Sequence, residues 1–76
     1  MTTTRMECVS GLIAIHASSS PLTKEAVESL LIPYLIGFPS NRVATERQEV
    51  FAEFLDLTET DARSQKMRRL AFPDVQ

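Results

Sequence analysis

The stretch from residue 22 to residue 38 carries the strongest hydrophobic pattern of the chain. Its last nine residues, Leu30 to Phe38, include no charged side chain. Its first half is amphipathic, with one apolar arc of Ala26, Val27, Leu30, Leu31 and Tyr34 and an opposite arc of Lys24, Glu25 and Glu28. Thr23 is a good N-cap residue, so we predict a helix that begins near Lys24. Because its second half is apolar on all sides, it must be covered by the rest of the chain or by a second protein.

Two features indicate where this central helix bends and stops. Pro33 has no amide donor, which predicts a kink or a restart near Ile32. Gly37, followed by Phe38 and Pro39, predicts a left-handed cap and a stop. A strand over residues 30 to 38 is the alternative, because periodicity does not exclude it for so short a run. A membrane span needs about 20 apolar residues, so no membrane partner is expected.

The flanking segments predict three further helices. Thr4 and Glu7 form a capping-box pattern, and the first helix then has an apolar arc of Met6, Cys8, Val9, Leu12, Ile13, Ile15 and His16. Gly11 lies in this helix and is a candidate for a close approach of the backbone to a neighbouring element. The third helix begins directly after Pro39, or at a cap formed by Thr45. Thr58 is the expected cap of the fourth helix.

These elements predict an all-α fold, a small bundle of four short helices around a central apolar helix. The helices are expected near residues 5 to 17, 23 to 36, 42 to 55 and 59 to 71. A chain of 76 residues is expected to form a single domain, residues 1–76, with loose ends at residues 1–4 and 73–76.

The third helix combines an apolar face with an acidic stripe. Phe51 and Phe54 are expected in the core, because small helical domains need large side chains to fill space. The stripe consists of Glu46, Glu49, Glu53 and Asp56, which recur every three or four residues. We interpret it as a solvated face or as a surface that steers a basic partner. Arg47 falls within the apolar arc of the same helix.

Composition and charge narrow the function classes. The net charge of −2 favours neither a nucleic-acid binder nor an acidic phage-type inhibitor that imitates nucleic acid. Cys8 and His16 stand about 12 Å apart along one helix, so they do not form a nucleophile and base pair. No metal-ligand spacing or cofactor motif is present, and we expect neither. A lone cysteine and an N-terminus without a signal-peptide pattern indicate the cytoplasm.

Residues 48 to 67, QEVFAEFLDLTETDARSQKM, contain one further pattern. Ala52 stands at a small position of a first helix, Leu57 lies in a turn, and Ala62 stands at an inward position of a second helix. This stretch resembles the helix-turn-helix unit of the phage-repressor family, and DNA binding is what the resemblance implies. On that reading the second helix is the recognition helix, and its DNA contacts are Thr58, Thr60, Arg63, Ser64 and Lys66. Asp56 and Gln65 depart from the family pattern.

The function that the sequence favours is that of a small non-enzymatic protein acting by protein-protein interaction, as an adaptor, regulator or inhibitor. Its partner is another protein or a second copy in a homodimer, and nucleic acid is a partner only under the helix-turn-helix alternative. The expected interface combines uncharged residues at the end of the central helix with charged residues of the third. Its candidate residues are Ile32, Tyr34, Leu35, Ile36, Phe38, Arg47, Glu46, Glu49 and Glu53.

Overall fold

Four α-helices make up the computed structural model, which describes residues 3–73. They are α1 (Arg5–Ala17), α2 (Lys24–Leu35), α3 (Ser40–Asp56) and α4 (Ala62–Ala71). No strand occurs within residues 3–73, which confirms the all-α prediction. The alternative of a strand over residues 30 to 38 is therefore wrong, because the helix continues to Leu35.

Two helix starts follow directly from local sequence. At α1 the Thr4 hydroxyl accepts from the Glu7 amide at 3.2 Å, and the Glu7 carboxylate accepts from the Thr4 amide at 2.9 Å. At α2 the Thr23 hydroxyl accepts from the Ala26 amide at 3.1 Å. Both contacts satisfy amides that have no partner within the first turn of a helix. The predicted caps Thr4 and Thr23 are thus confirmed.

Of the other two helix starts, that of α3 matches one of the two predicted alternatives, and that of α4 differs from the prediction. α3 begins at Ser40 without a side-chain cap, so it starts directly after Pro39, and Thr45 lies inside it. α4 begins at Ala62 rather than at residue 59, because its cap is Asp61. The Asp61 carboxylate accepts from the Ser64 amide at 2.8 Å, and the Ser64 hydroxyl accepts from the Asp61 amide at 3.0 Å. The Thr58 hydroxyl instead donates to the carbonyl of Phe54.

α2 passes through its proline as one helix. Pro33 lies inside Lys24–Leu35, and the Ile36 amide donates to the Ile32 carbonyl at 2.9 Å, so helical hydrogen bonding continues beyond the proline. The predicted restart at Pro33 is wrong. The predicted stop is right, but Gly37 has no positive φ, so the left-handed cap is wrong. The Phe38 amide donates to the Leu35 carbonyl and tightens the end of the helix instead.

α1 and α2 hold the bundle together, because each of them packs against all three other helices. Gly11 lies at the α1–α2 contact, where a side-chain β-carbon would come within 2.7 Å of the Leu30 side chain. The predicted close approach at Gly11 is therefore present. Met6, placed in the apolar arc of α1, is 77% exposed, because it lies at the edge of that arc in the first turn. The fully buried core comprises Cys8, Leu12, Val27, Leu31, Val50, Phe51, Phe54 and Met67.

Two residues of the N-terminal end form hydrogen bonds with the helices. The Thr3 amide donates to the Pro33 carbonyl at 3.3 Å, and Thr4 caps α1. Residues 1–2 and 74–76 lie outside the described residues. No helix among residues 3–73 has both the length and the apolar character needed to cross a bilayer.

Candidate functional site

A buried polar cluster joins α1, α2 and α3, and we call it the Glu46 cluster. Glu46 of α3 is only 2% exposed. Its Oε1 accepts from the Tyr34 hydroxyl at 2.8 Å and from the Arg5 guanidinium at 2.8 Å, and its Oε2 is paired with Arg42. The Arg5 Nε also donates to the Tyr34 hydroxyl at 3.1 Å. Four side chains from three helices therefore satisfy one another around a single buried carboxylate.

The geometry of the Glu46 cluster shifts the pKa of its members in the expected directions. The Tyr34 hydroxyl and the Arg5 guanidinium stabilise the ionised carboxylate, which lowers the pKa of Glu46. Burial raises the pKa of Tyr34. Hydrogen bonds with Tyr34 and Glu46 raise the pKa of Arg5 further above its ordinary value. At neutral pH the cluster therefore holds a carboxylate, two guanidinium cations and a neutral phenol.

The Glu46 cluster changes the interpretation of the acidic stripe. Glu46 is enclosed rather than solvated, and Glu49 and Glu53 are exposed but turn toward Arg5, with distances of 3.0 Å and 3.8 Å to its guanidinium. Tyr34 is also buried. Tyr34 and Glu46 therefore do not belong to the predicted contact surface. Both side chains are buried and already bind Arg5 of α1.

Arg47 is engaged within the chain as well. Its guanidinium pairs with the Glu28 carboxylate of α2 at 2.7 Å and donates to the Ala71 carbonyl at the end of α4 at 3.3 Å. The side chain is half-buried. Arg47 therefore joins α2, α3 and α4, and as a predicted interface residue it lacks a free guanidinium for a partner.

The remaining predicted interface residues divide into buried and exposed groups. Leu35 is 5% exposed and belongs to the core, and Phe38 is half-buried with its ring edge against Tyr34 at a centroid distance of 5.1 Å. Ile32 and Ile36, one helical turn apart, are 54% and 72% exposed. Ile32 and Ile36, which we call the isoleucine pair, are therefore the exposed large apolar side chains of the uncharged stretch.

One member of the isoleucine pair, Ile32, borders a groove between α2 and the end of α4, which we call the α2–α4 groove. Ile32 lines it together with Ala71, Phe72 and Pro73, and its volume is about 560 Å³. The charged residues along it are Lys24, Glu28 and Arg47, of which the last two form the ion pair described above. The exposed apolar surface of Ile32 therefore continues onto a second helix.

A second groove separates α3 from α4, and we call it the α3–α4 groove. These helices approach each other at the fewest points of any pair in the bundle. The groove is lined by Gln48, Phe51, Ala52, Leu55, Arg68 and Phe72. It continues past Leu55 and Arg68 to Thr60, Ser64 and Gln65. At its base the rings of Phe51 and Phe72 meet edge to face at 5.5 Å.

The residues expected to contact DNA are placed differently from the helix-turn-helix geometry. Arg63 donates to the Ile15 carbonyl, the Ser18 hydroxyl and the Ser20 carbonyl at 2.7 to 3.3 Å, so its guanidinium closes the end of α1. Ser64 is buried in the cap of α4. Thr58 is half-buried and bonded to Phe54, whereas Thr60 and Lys66 are exposed. Arg63 and Ser64 therefore hold the fold together instead of facing a groove of DNA.

The packing that the resemblance implies is also not formed. Ala52 and Ala62, at the positions of the family that face inward, are both exposed. α3 and α4 are separated by the α3–α4 groove rather than packed together. The exposed cations of this region are Lys66, Arg68 and Arg69, none of which forms an ion pair within residues 3–73.

Cys8 and His16 have separate local roles. Cys8 is completely buried, and burial raises the pKa of its thiol to about 11, so the thiol stays protonated at neutral pH. Its thiol donates to the Leu30 carbonyl. The His16 ring lies 3.0 Å from both carboxylate oxygens of Asp61, the cap of α4, and edge-on to Phe54. Among residues 3–73 no three His, Cys, Asp or Glu side chains are grouped to hold a metal ion.

Sequence reasoning missed Arg5 and Arg42, and it gave Arg63 a different role. Arg5, Arg42 and Arg63 each reach a buried or capping position, and two of them contact residues more than 40 positions away in the chain. The one local signal was the spacing of Arg42 and Glu46 on α3. They are four residues apart, and side chains at this spacing on a helix can form an ion pair. The partners of Arg5 and Arg63 required the tertiary fold.

Comparison with protein-family models, with curated proteins and with solved structures finds no match for this chain, so its function is argued from its own residues.

Proposed function

We propose that this chain is a small non-enzymatic protein that acts by binding another protein through the isoleucine pair and the adjoining α2–α4 groove. The observation that carries the proposal is the exposure of Ile32 and Ile36, at 54% and 72%, on a stretch without any charge. Single exposed apolar residues are common on protein surfaces. Two of them one turn apart, continuous with an apolar groove on a second helix, form a patch of the kind found at interaction sites.

The energetics favour a partner at this patch. Complete burial of an isoleucine side chain stabilises a complex by roughly 1.5 to 3 kcal/mol. Leu35, between the two isoleucines in sequence, is already buried, so the core beneath α2 is filled without them. The groove adds Ala71, Phe72 and Pro73 from α4. A partner that covers the pair and enters the groove therefore gains apolar contact without unfolding any part of the chain.

Charged groups at the edge of the patch define its orientation. Lys24 is exposed at the start of α2, and the Glu28–Arg47 pair lies along the groove. Polar groups at the rim of an interface contribute more to specificity than to affinity. The patch is thus an apolar centre with a charged border on one side, which is the usual anatomy of a protein-protein interface.

The proposal is tested with the variant Ile32→Ser/Ile36→Ser and a matched control, Met6→Ser/Leu57→Ser. The control replaces Met6 of α1 and Leu57, just after α3, which are 77% and 62% exposed. Each protein serves as bait in a lysate of the source cell, and captured proteins are identified by mass spectrometry. We expect a protein captured by the wild type and the control, and lost with the isoleucine variant. Equal capture by all three baits contradicts the proposal.

Light scattering distinguishes a foreign partner from a second copy of the chain. A mass twice that of the 8.5 kDa monomer, reduced to the monomer in the isoleucine variant, assigns the patch to a homodimer. Circular dichroism of both variants verifies that the helices are intact. DNA binding through residues 48 to 67 would appear instead as an affinity for duplex DNA that falls steeply with salt and is insensitive to the isoleucine variant.

A further inference from the structure

The α3–α4 groove has the shape and lining of a site for a helix. Two helices form its walls and approach each other at few points, while the edge-to-face rings of Phe51 and Phe72 close its base. Ala52 is exposed on one wall, and Leu55 and Phe72 are half-buried. The apolar part of the groove, Phe51, Ala52, Leu55 and Phe72, suits the apolar face of a third helix, whose side chains are spaced three and four residues apart, and the polar residues Gln48 and Arg68 lie beside it.

The charge of the lining selects among such helices. Arg68 is the one charged residue that lines the groove among the described residues. It is exposed and forms no ion pair within residues 3–73. The α3 wall, formed by Gln48, Ala52 and Leu55, is uncharged. The acidic residues Glu49 and Glu53 do not line the groove and turn toward Arg5. The positive charge of Arg68 in the groove therefore favours a ligand that carries carboxylates.

We propose that the α3–α4 groove binds an amphipathic helix of a partner protein, with leucine-type side chains on its apolar face and carboxylates beside them. The apolar face lies over Ala52, Leu55 and Phe72, and a carboxylate of the bound helix pairs with Arg68. This site is separate from the isoleucine pair, although Phe72 lies at the boundary of both grooves. The chain then offers two binding surfaces on different sides of α4.

The probes are two synthetic helical peptides of about 15 residues, long enough to form a helix on binding. Both carry the same leucine face, and their opposite faces are glutamate-rich in one peptide and lysine-rich in the other. A third peptide carries the glutamate sequence with a central proline, which breaks the helix. Amide chemical shifts of the intact protein are followed by NMR during each titration. We expect saturable shifts at Ala52, Leu55, Arg68 and Phe72 with the glutamate peptide and weaker binding of the other two.

Two arginine variants provide a matched pair for the charge selection. Arg68 lines the groove, whereas its neighbour Arg69 is also exposed but does not line it. We expect Arg68→Glu to weaken binding of the glutamate peptide by about 3- to 10-fold, as the loss of an exposed ion pair and its replacement by a like-charge contact predict. Arg69→Glu is expected to change the affinity less than 2-fold, because the charge at residue 69 lies outside the groove and is screened by salt.

Several outcomes overturn the proposal. One is equal affinity for the glutamate and lysine peptides, and another is equal loss in the two arginine variants. Shifts confined to Ile32 and Ile36 would place the peptide on the first patch and leave the α3–α4 groove without a role. Concentration-dependent shifts of groove residues without any peptide would identify a second copy of the chain as the occupant instead.

Discussion

Two regions of this bundle differ in which side chains they bury and which they expose. At the Glu46 cluster, a charged side chain lies inside the protein, and every buried side-chain nitrogen and oxygen within residues 3–73 has a partner. Around α4 and the end of α2, apolar side chains lie outside, in two grooves and at the isoleucine pair. α1, α2 and α3 thus form a closed junction, whereas the α4 side is open.

The contrast shows that the exposed apolar groups do not result from an inability to build a core. The chain buries the Glu46 carboxylate and supplies it with three donor groups, from Arg5, Tyr34 and Arg42. Burying a charge costs free energy unless ion pairs and hydrogen bonds compensate it. The same α2 helix that supplies Tyr34 to the closed junction presents Ile32 to solvent two positions earlier. One face of α2 therefore stabilises the bundle, and another face is exposed to solvent.

The largest effect that tests this contrast is expected at the core. Phe54→Ala should cost about 3 to 5 kcal/mol, because a fully buried ring is removed from a filled site. A domain of this size is stable by roughly 4 to 11 kcal/mol, so a large fraction of its stability is lost. Phe72→Ala, at the open side, should cost about 1 to 2 kcal/mol because that ring is half-buried. Urea unfolding measures both, and equal losses would show that the α4 side is packed as tightly as the core.

The next effect concerns the hydroxyl of Tyr34. Tyr34→Phe keeps the ring in place but removes the donor to Glu46 and the acceptor for Arg5. We expect a loss of about 1 to 3 kcal/mol in the free energy of unfolding, because the buried Glu46 carboxylate loses one of its hydrogen-bond donors. Chemical denaturation checks this value. A stability equal to that of the wild type would mean that the Glu46 cluster is not sealed from water.

Much of the fold could be predicted from the sequence because helix starts and apolar faces are local properties. Thr4 and Thr23 cap helices through groups three residues away, and Phe51 and Phe54 face inward because they share one side of α3. The start of α4 was harder, because Thr58 and Asp61 are both good caps. Asp61 is the one used, and its N3 residue, Ser64, completes a reciprocal pair.

The candidate site could be predicted only in part, because its contacts join distant segments. Helical periodicity placed Glu46 and Glu49 on one stripe, but it could not show that Arg5, on another helix, lies against that stripe. For the same reason Arg63 was expected to face DNA, although its guanidinium closes α1. Ile32 and Ile36, two of the predicted interface residues, are exposed, whereas Leu35, predicted together with them, is buried because it faces the core.

The smallest expected effect is on the pH dependence of stability in acid. It concerns the contact between α1 and α4 that His16 and Asp61 form. The Ser64 amide and His16 stabilise the ionised carboxylate of Asp61, which lowers its pKa from an ordinary 3.8 to about 2. Because the unfolded chain binds this proton at higher pH than the folded chain, the stabilisation is complete above pH 3.8 and is lost as the pH falls toward 2. Glu46 acts in the same direction, since its pKa is also lowered.

Asp61→Asn separates the contribution of this carboxylate from that of Glu46. Asparagine is a comparable N-cap, so α4 still begins at Ala62, but the titrating group is gone. Thermal unfolding measured between pH 4 and pH 2 should show a shallower decline for this variant than for the wild type, since only Glu46 still contributes through its lowered pKa. Glu59→Gln is the matched control, because Glu59 is an exposed carboxylate two positions earlier. If the slope of Asp61→Asn equals that of the control, the Asp61 carboxylate adds no pH-dependent stability to the contact between α1 and α4.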